Sequence, residues 1–414
     1  MLNTAKLCAS AVVPLLLSVA QAGAADLSCE VMHAWTSSGE SAAVGVFASK
    51  YEKAGGHWVD RGIATNDAER AAAISRIVGG DPPCGAHFNT GEAYKTLVDA
   101  GVLRDISDIA KQDDWADKIP ATFLDAITRN GKIYAIPINL QTDNWIWYST
   151  EVFKKSGIEK FPQTWDELFA AADKIKAAGF IPMALGGGSW ADQFVFRKVL
   201  ASSAGPDLYL KIFKDRDVAA LSDPKVKQAV EIYGKLRNYV DSGSSTRKWN
   251  DATNLVITNK AGFQVMGDWA KGEFAAAGMT PGKEYGCTLL PGRELSIMSG
   301  DVFVTPKLKN ANATAGQTLL AHVVFTPEAQ LEFNIKKGSN PIRQDVDVSS
   351  MDICAQHAAA VLKDPANQIP NPQMLLSSDA FAAVRDVITV YWNTPTMTAD
   401  EMTAKLADVF KTIP

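Results

Sequence analysis

Apolar and polar positions alternate along the first hundred residues between strand-like and helix-like spacing. An apolar run at 31–35 predicts a strand, and apolar residues recur at helical spacing over 41–54. The same alternation predicts strands at 57–59 and 84–88 and helices at 67–78 and 91–101. Strands that alternate with helices in this way favour a parallel sheet covered by helices on both faces.

From residue 130 onward the pattern becomes richer in strands. An Asn130-Gly131 turn signal precedes a predicted strand at 131–137, and an aromatic strand follows at 144–148. A helix at 164–178 begins with a capping box of Thr164 and Glu167. The remaining predicted elements are strands at 181–185, 261–266 and 302–305 and helices at 193–204, 206–214, 224–241 and 250–259. These elements indicate an α/β protein of two lobes, with the chain crossing between them more than once.

The N-terminal residues have the pattern of a secretory signal peptide. Lys6 precedes an apolar run over 7–19, and Ala22-Gly23-Ala24 supplies small residues for cleavage. The apolar run is shorter than the roughly 20 residues that span a bilayer. Because Cys8 precedes the apolar core, a lipoprotein anchor is disfavoured. We predict a signal peptide at 1–24 and an exported mature chain.

Length and composition narrow the class of protein. A chain of 414 residues is typical of two domains. Its 47% hydrophobic and 21% charged residues are typical of a globular protein with a large core. The formal charge is -5, and the lysines and arginines are spread along the chain, which argues against a nucleic-acid partner. No later stretch is apolar enough to predict membrane insertion.

Four cysteines remain after the predicted signal peptide: Cys29, Cys84, Cys287 and Cys354. An even number in an exported chain indicates disulfides, although four cysteines allow three pairings. Cys29 opens the strand-like run 30–32 and Cys84 opens the run 85–88, and two parallel strands that start side by side bring such sulfurs close. We therefore favour Cys29–Cys84 with Cys287–Cys354; buried free thiols are the alternative.

The histidines and cysteines do not predict a metal site or a cofactor. Glu30 and His33 are three residues apart on a predicted strand, so their side chains point to opposite faces. The cysteine spacings differ from the paired C-x-x-C arrangement of structural zinc sites.

The ends of the predicted strands are rich in tryptophan, carboxylate and amide side chains. Ligands bind beyond the carboxyl ends of strands in open α/β sheets. Carboxylates and amides hydrogen-bond hydroxyl groups, and aromatic faces cover apolar C–H groups, so this combination favours a sugar ligand. Each tryptophan could instead pack in the core, and Asp268 could cap a helix. The strand-end residues are Trp35, Ser37, Ser38, Glu40, Asn89, Thr90, Gln141, Asp143, Asn144, Trp145, Gly188, Ser189, Trp190, Asp192, Asp268, Trp269 and Asp301.

Several segments resemble the periplasmic sugar-binding proteins of ABC transporters, which form extracellular solute-binding protein family 1, and most closely their glucose-binding branch. The resemblance covers nearly the whole mature chain, and the segment at 267–273 is its most specific part. The segments are Trp35-Thr36-Ser37-Ser38-Gly39-Glu40, 131–139, Asn144-Trp145-Ile146-Trp147, Pro162-Gln163-Thr164-Trp165-Asp166-Glu167, Gly267-Asp268-Trp269-Ala270-Lys271-Gly272-Glu273 with the strand before it, and Lys337-Gly338-Ser339-Asn340-Pro341-Ile342-Arg343.

The resemblance implies two α/β lobes joined by a hinge, which close on one sugar. We expect lobe one to comprise 25–138 with about 297–345, and lobe two 139–296 with about 346–414. It also implies a periplasmic monomer that delivers its sugar to the permease subunits of an ABC transporter, and a Cys287–Cys354 disulfide.

The strand ends and the resemblance together predict a set of ligand-binding residues. Trp35 would border the sugar, while Glu40 and Asp301 would hydrogen-bond its hydroxyls; Arg343 would support a carboxylate. The full set is Trp35, Glu40, Gln141, Asn144, Trp145, Asp268, Trp269, Asp301 and Lys337.

Four positions depart from the glucose-binding branch. That branch has a second tryptophan where Thr36 stands, a lysine near 89–90, a histidine where Gln141 stands and another histidine near 371–373. A site that loses hydrogen-bond partners in this way leaves buried polar groups unpaired, which is costly. Glucose is therefore in doubt, and another monosaccharide or a larger glycoside fits equally.

Two other functions remain open. A secreted glycoside-acting enzyme would need two carboxylates about 5–9.5 Å apart, for which Glu40, Asp268 and Asp301 are candidates. No G-x-S-x-G nucleophile motif occurs, and we favour a protein that is not an enzyme. A sugar binder coupled to a chemoreceptor would share the same fold.

Overall fold

A computed structural model describes residues 27–292 and 294–412. The predicted signal peptide and Cys8 lie outside the described residues. The strands are β1 Ser28–His33, β2 His57–Gly62, β3 Gly85–Asn89, β4 Thr128–Arg129, β5 Lys132–Ile133, β6 Ala135–Pro137, β7 Asn139–Thr142, β8 Trp145–Ser149, β9 Ile181–Ala184, β10 Ala261–Met266, β11 Tyr285–Leu289, β12 Ser296–Ser299, β13 Asp301–Val304, β14 Asn340–Pro341 and β15 Gln368–Pro370.

The helices outnumber the strands and cover the sheets. Short 3-10 turns lie at Glu92–Tyr94, Val218–Ser222, Arg237–Tyr239, Ser244–Thr246 and Pro365–Asn367. The α-helices are α1 Ser38–Lys53, α2 Asn66–Gly79, α3 Lys95–Asp99, α4 Ser107–Gln112, α5 Trp115–Lys118, α6 Ala121–Ile127, α7 Thr150–Lys155, α8 Trp165–Ala177, α9 Ser189–Ala204, α10 Pro206–Phe213, α11 Pro224–Leu236, α12 Trp249–Ile257, α13 Ala270–Ala276, α14 Ala311–Phe325, α15 Pro327–Lys337, α16 Ile353–Leu362, α17 Pro372–Leu375, α18 Ser378–Asn393 and α19 Ala399–Thr412.

The first lobe is built on a sheet of order β2-β1-β3-β13-β6. Its first three strands are parallel, as the sequence predicts, but β13 runs antiparallel to both of its neighbours. The parallel pairing predicted for the first hundred residues is therefore confirmed, whereas β13, which lies beyond that stretch, joins antiparallel because it enters the sheet from the hinge and not through a helical crossover. Phe47 and Phe333 stack at 4.3 Å in the core beneath this sheet.

The second lobe is built on a sheet of order β11-β8-β10-β9. Strands β9 and β10 are parallel, whereas β8 is antiparallel to both β10 and β11. Helix α9 packs against α11 and α18 on one side of this sheet and is buried along most of its length. Because α9 is buried on nearly every face, its sequence lacks a clean amphipathic pattern. The helix begins at Ser189, four residues before its predicted start.

A third sheet, of order β14-β7-β12-β15, joins the two lobes. Asn144 extends this connection, since its Nδ2 donates to Leu295 O at 2.7 Å and its Oδ1 accepts from Ile297 N at 2.9 Å. The chain passes through this sheet along β7, β12 and β14, which gives the two-lobed fold its hinge. We propose the lobe boundaries given above, because the buried core clusters change over at these same crossings.

Local sequence signals specify several elements directly. Asn130 and Gly131 both have positive φ, 51° and 72°, and join β4 to β5 as the turn signal predicts. Thr164 and Glu167 form the predicted capping box of α8. The predicted helix at 91–101 is wrong in extent: helical structure covers Glu92–Tyr94 and Lys95–Asp99, and Gly91 and Gly101 on either side have positive φ, 104° and 68°.

Both predicted disulfides are present. Cys29 of β1 bonds Cys84, which precedes the neighbouring strand β3, with the Cα atoms 5.1 Å apart. Cys287 of β11 bonds Cys354 of α16 with the Cα atoms 6.1 Å apart. The side-by-side start of two parallel strands is therefore confirmed as the reason for the first pairing.

Candidate functional site

A cleft of about 590 Å³ separates the two lobes. Its size lies within the roughly 300–1,000 Å³ of sites that bury small ligands. The first lobe contributes the loop after β1 and the start of α2, and the second contributes the loop after β9 and the start of α12. Its polar and aromatic lining includes Trp35, Thr36, Glu40, Asn66, Asp67, His87, Asn89, Gln141, Asp143, Ser189, Trp190, Arg197, Arg247, Trp249, Trp269, Ser299, Asp301, Lys337 and Asn371.

Asp301 is the centre of a buried hydrogen-bond network at the base of the cleft. Its Oδ1 bonds His87 Nε2 at 2.9 Å and Asn89 Nδ2 at 3.4 Å. Its Oδ2 accepts from Asn139 Nδ2 at 3.0 Å and Gln141 Nε2 at 2.9 Å. Burial alone would raise the pKa of Asp301, but His87 and the other partners hold that pKa below its ordinary value. The carboxylate is therefore ionised and orients four side chains.

A second polar group lies at the start of α1. Ser37 caps the helix and donates its hydroxyl to Glu40 Oε2 at 3.0 Å. Lys337 Nζ lies 3.3 Å from Glu40 Oε1 and 5.8 Å from the centre of the Trp269 ring. Glu40 and Lys337 thus form an ion pair on the cleft wall, with an indole from the other lobe beside it.

Asp143 is the centre of another buried hydrogen-bond network, on the other side of the cleft base from Asp301. Its Oδ2 accepts from Arg197 Nη2 at 2.7 Å and Asn371 Nδ2 at 2.8 Å, and its Oδ1 accepts from Ser299 Oγ at 2.9 Å. Both members of the Asp143–Arg197 ion pair are buried. This network ties the hinge to α9 beneath the cleft.

Tryptophan rings form much of the apolar wall. Trp190 stacks on Phe194 at 4.7 Å, and Phe194 lies 5.3 Å from Trp269. On the other lobe, Trp35 packs against His87 at 4.6 Å. Indole faces from both lobes therefore face a cleft whose base is polar.

The carboxylates of the cleft already have polar partners. Among the described residues, Glu40 pairs with Lys337, Asp67 with Arg385 and Asp143 with Arg197, while Asp301 hydrogen-bonds His87. Paired carboxylates, amides and hydroxyls of this kind suit a ligand that is rich in hydroxyl groups.

Six of the nine predicted ligand-binding residues lie together in the cleft. These are Trp35, Glu40, Gln141, Trp269, Asp301 and Lys337. They come from five separate segments of the chain, and the hinge strands bring them together. We keep these six as proposed ligand contacts.

The structure places the other three predicted residues away from the cleft lining. Asn144 bridges the hinge strands, as described above, and Trp145 is buried beside Trp147 at 5.4 Å. Asp268 Oδ2 accepts from Thr142 N at 2.7 Å, and Asp268 N donates back to Thr142 O at 3.1 Å. Burial raises the pKa of Asp268 well above its ordinary value. Asp268 therefore fastens β7 to the turn after β10.

Arg343 was predicted to support a carboxylate of the binding site, but in the structure it makes other contacts. Its guanidinium pairs with Asp345 at 2.6 Å and donates to Phe325 O at 2.8 Å. These contacts hold the chain after β14 against α14.

Several cleft residues were missing from the predicted set. Asp143, Trp190 and Asn89 stand at strand ends, so the strand-end pattern includes them. Arg197 and Trp249 lie within helical segments, and Asn371 follows β15, a short strand that the sequence pattern does not predict. Their place in the cleft depends on how distant elements pack.

Two further features of the described residues bear on function. Within 27–292 and 294–412, no group of three or more His, Cys, Asp or Glu side chains is arranged to hold a metal ion. In the same ranges, no helix combines the length and the apolarity that a bilayer crossing requires.

Comparison with known proteins gives one consistent result. Residues 34–318 match the family model described as "Bacterial extracellular solute-binding protein". A "Probable sugar-binding periplasmic protein" of Brucella melitensis is 37% identical over 338 residues, which cover 81% of this chain and 79% of that protein. A protein of the same description from Rhizobium meliloti is 36% identical over 350 residues, which cover 84% of this chain and 83% of that protein. A solved "Chitin oligosaccharide binding protein" superposes with a TM-score of 0.80 at 19% identity, covering 94% of this chain and 99% of that one.

Proposed function

The chain belongs to the family of bacterial extracellular solute-binding proteins, and from this premise we propose that it is the periplasmic sugar-binding component of an ABC transporter. It captures an uncharged sugar between its two lobes and delivers that sugar to the membrane permease. The relatives named as sugar-binding periplasmic proteins span most of this chain, which supports carrying their function over.

The observation that carries the proposal is the composition of the cleft. Glu40 and Asp143 form ion pairs with Lys337 and Arg197, while indole rings of Trp35, Trp190 and Trp269 line its walls. Hydroxyl groups of a sugar both donate and accept hydrogen bonds, so they match paired carboxylates and amides. The apolar face of a sugar ring matches an indole.

The same groups support binding without hydrolysis. A glycosidase needs one protonated carboxylic acid beside one ionised carboxylate. His87 and the amides of Asn139 and Gln141 keep Asp301 ionised, and Lys337 pairs with Glu40. Asp268, whose pKa is raised, lies outside the cleft lining. We therefore infer that the sugar leaves the cleft unchanged.

Sugar binding should raise the melting temperature of the purified mature protein and change its tryptophan fluorescence. A ligand that binds only the folded state stabilises that state, and Trp35, Trp190 and Trp269 line the cleft. The measurement is a thermal-shift and fluorescence screen of mono-, di- and trisaccharides, with amino acids as the comparison ligands. If no sugar produces a shift while an amino acid does, the sugar proposal fails. Turnover of an aryl glycoside would contradict binding without chemistry.

Two glycines bring α1 of the first lobe and α13 of the second lobe into close contact. A Cβ on Gly39 of α1 would lie 2.6 Å from the carbonyl carbon of Gly272 in α13. Gly39 N also donates to Glu273 Oε1 at 3.0 Å across the same contact. Because the obstacle is backbone, the lobes have to move apart to admit a side chain.

We expect Gly39→Ala to weaken sugar binding about tenfold while the unliganded protein keeps its melting temperature. Overpacking a close contact costs roughly 1–3 kcal/mol, and an open unliganded form avoids this cost because its lobes are apart. Titration calorimetry with a sugar from the screen measures the effect. Gly79→Ala is the matched control, since Gly79 is an exposed helical glycine with no atom within 4 Å of the added Cβ. Equal affinities of the two variants would show that this contact plays no part in closure.

A further inference from the structure

The amide of Asn89 is held at both of its ends. Asn89 is the last residue of β3 and lines the cleft. Its Oδ1 accepts from Arg70 Nη2 of α2 at 2.9 Å, and its Nδ2 donates to Asp301 Oδ1 of β13 at 3.4 Å. Asn89 and Asp301 also stand opposite each other in the pairing of β3 with β13. The Asn89 side chain therefore links α2 to the carboxylate at the base of the cleft.

These two neighbours allow the Asn89 amide only one orientation. A guanidinium only donates hydrogen bonds, and an ionised carboxylate only accepts them. An amide turned the other way would place its nitrogen against Arg70 and its oxygen against Asp301. The Nδ2 group carries two hydrogens, and Asp301 takes one of them. Since Asn89 lines the cleft, the other hydrogen is available to a ligand, so Asn89 presents a donor there while its oxygen is turned towards α2.

Arg70 lies behind the cleft wall, and packing alone does not account for its charge. In the part of the chain that the structure describes, its guanidinium donates to Asn89, while its Nε is buried without a hydrogen-bond partner. The guanidinium carbon lies 5.9 Å from the centre of the Phe88 ring. By contrast, Arg76 on the same helix donates to both carboxylate oxygens of Glu30, at 2.9 and 2.8 Å. Because a cation removed from water without a paired carboxylate lowers stability, the fold gains little from a charge at Arg70.

We propose that Arg70 is a positioning residue for sugar binding, which fixes the amide of Asn89 so that Asn89 selects a hydrogen-bond acceptor on the ligand. This inference rests on the proposed function and specifies how one residue of the site discriminates among sugars. The matching group on a sugar is an oxygen that accepts from Asn89 Nδ2. Without the guanidinium the amide is free to turn over, and the site no longer distinguishes an acceptor from a donor at this point.

The first test uses the wild-type protein and titration calorimetry. The probes are the monodeoxy and deoxyfluoro derivatives of glucose, galactose and xylose, as free sugars or within their oligomers, for the series that binds. Fluorine accepts a hydrogen bond and cannot donate one, whereas the hydrogen of a deoxy sugar does neither. At one ring position we expect the deoxyfluoro derivative to bind at least about fivefold more tightly than the deoxy derivative. A binding series without such a position overturns the inference, whereas failure of every saccharide to bind overturns the proposed function and this inference with it.

Variants of Arg70 and Asn89 show whether one acts through the other. Arg70→Met removes the guanidinium and keeps a long side chain that packs beside Phe88. We expect it to lower the affinity for the parent sugar about tenfold and to abolish the preference for fluorine over hydrogen. In an Asn89→Ala background the same substitution should change the affinity less than about twofold, because the side chain that transmits its effect is gone.

Arg76→Met is the matched control, since it removes an arginine from the same helix and breaks a pair with Glu30 outside the cleft lining. It should lower the urea midpoint of unfolding and leave both the affinity and the fluorine preference as in the wild-type protein. If Arg70→Met lowers the affinity equally with and without Asn89, or keeps the fluorine preference, Arg70 does not position Asn89 and the inference fails. Should Arg70→Met not fold, the derivative series on the wild-type protein decides.

Discussion

Replacing Asp301 by alanine is expected to lower sugar affinity by about 100-fold or more and the free energy of unfolding by about 3–5 kcal/mol. The carboxylate is buried, and its oxygens bond His87, Asn89, Asn139 and Gln141. Removing it leaves these groups without their acceptor in a buried site, and each unpaired donor costs about 1–3 kcal/mol. Since Gln141, His87 and Asn89 also line the cleft, their loss of orientation reaches the ligand directly.

Calorimetric titration and urea unfolding of the same preparation check both parts of this prediction. Asp301→Asn separates the effect of a cavity from the effect of losing the charge. Asparagine keeps the side-chain volume, but its amide nitrogen would face the hydrogen-bond donors that now surround the carboxylate. We expect it to lose affinity at least tenfold as well. Asp345→Ala removes a carboxylate from a partly exposed pair with Arg343 and should change stability by less than about 1 kcal/mol. If Asp301→Ala binds sugar like the wild-type protein, the network around Asp301 does not shape the site.

The fold could be predicted where local chemistry determines it. The Asn130-Gly131 turn, the Thr164–Glu167 capping box and the strand at 261–266 each depend on residues close together in the chain. The direction of β13 could not be predicted in this way, because it depends on pairing with β3 and β6, which both lie far before β13 in the chain. Local patterns do not encode that choice.

The candidate site, like the fold, could be predicted only in part from the sequence. Trp35 and Asp301 were predicted because the ends of buried strands mark the cleft edge. The same rule predicts Asn144, Trp145 and Asp268 as ligand contacts, yet all three lie under the hinge. Strands β7 and β8 continue from one lobe into the other, so these side chains contact buried neighbours and not the cleft. Arg197 reaches the cleft only because α9 packs beside Asp143, a contact across 54 residues.

Replacing Glu69 by glutamine is expected to stabilise the protein by about 3 kcal/mol at pH 8 and by less than about 1 kcal/mol at pH 5. Glu69 lies on α2 with its side chain buried, and neither carboxylate oxygen has a hydrogen-bond partner. Burial raises the pKa of Glu69 to about 7, while His87 and Arg70 act weakly in the opposite direction. The first lobe therefore contains a carboxyl group that holds its proton far more tightly when folded.

The sign of this pH dependence follows from the two pKa values. Below pH 4.5 the carboxyl is protonated in both the folded and the unfolded chain, so it contributes no difference in stability. Between pH 4.5 and about 7 the unfolded chain loses the proton first, and the wild-type protein loses about 1.4 kcal/mol per pH unit from this group. Above pH 7 the loss is complete and constant. Glutamine has the same shape and no charge, so it removes the pH-dependent part alone.

Urea unfolding of Glu69→Gln and the wild-type protein at pH 5, 6.5 and 8 gives the difference at each pH, and subtraction cancels the titration of all other groups. Glu52→Gln is the matched control, because Glu52 is exposed on α1 and its replacement should leave the difference near zero at each pH. A stability gain of Glu69→Gln that is the same at pH 5 and pH 8 would mean that Glu69 is ionised in the folded protein throughout this range. In that case the opposing effects of Arg70 and His87 would outweigh burial at this carboxyl.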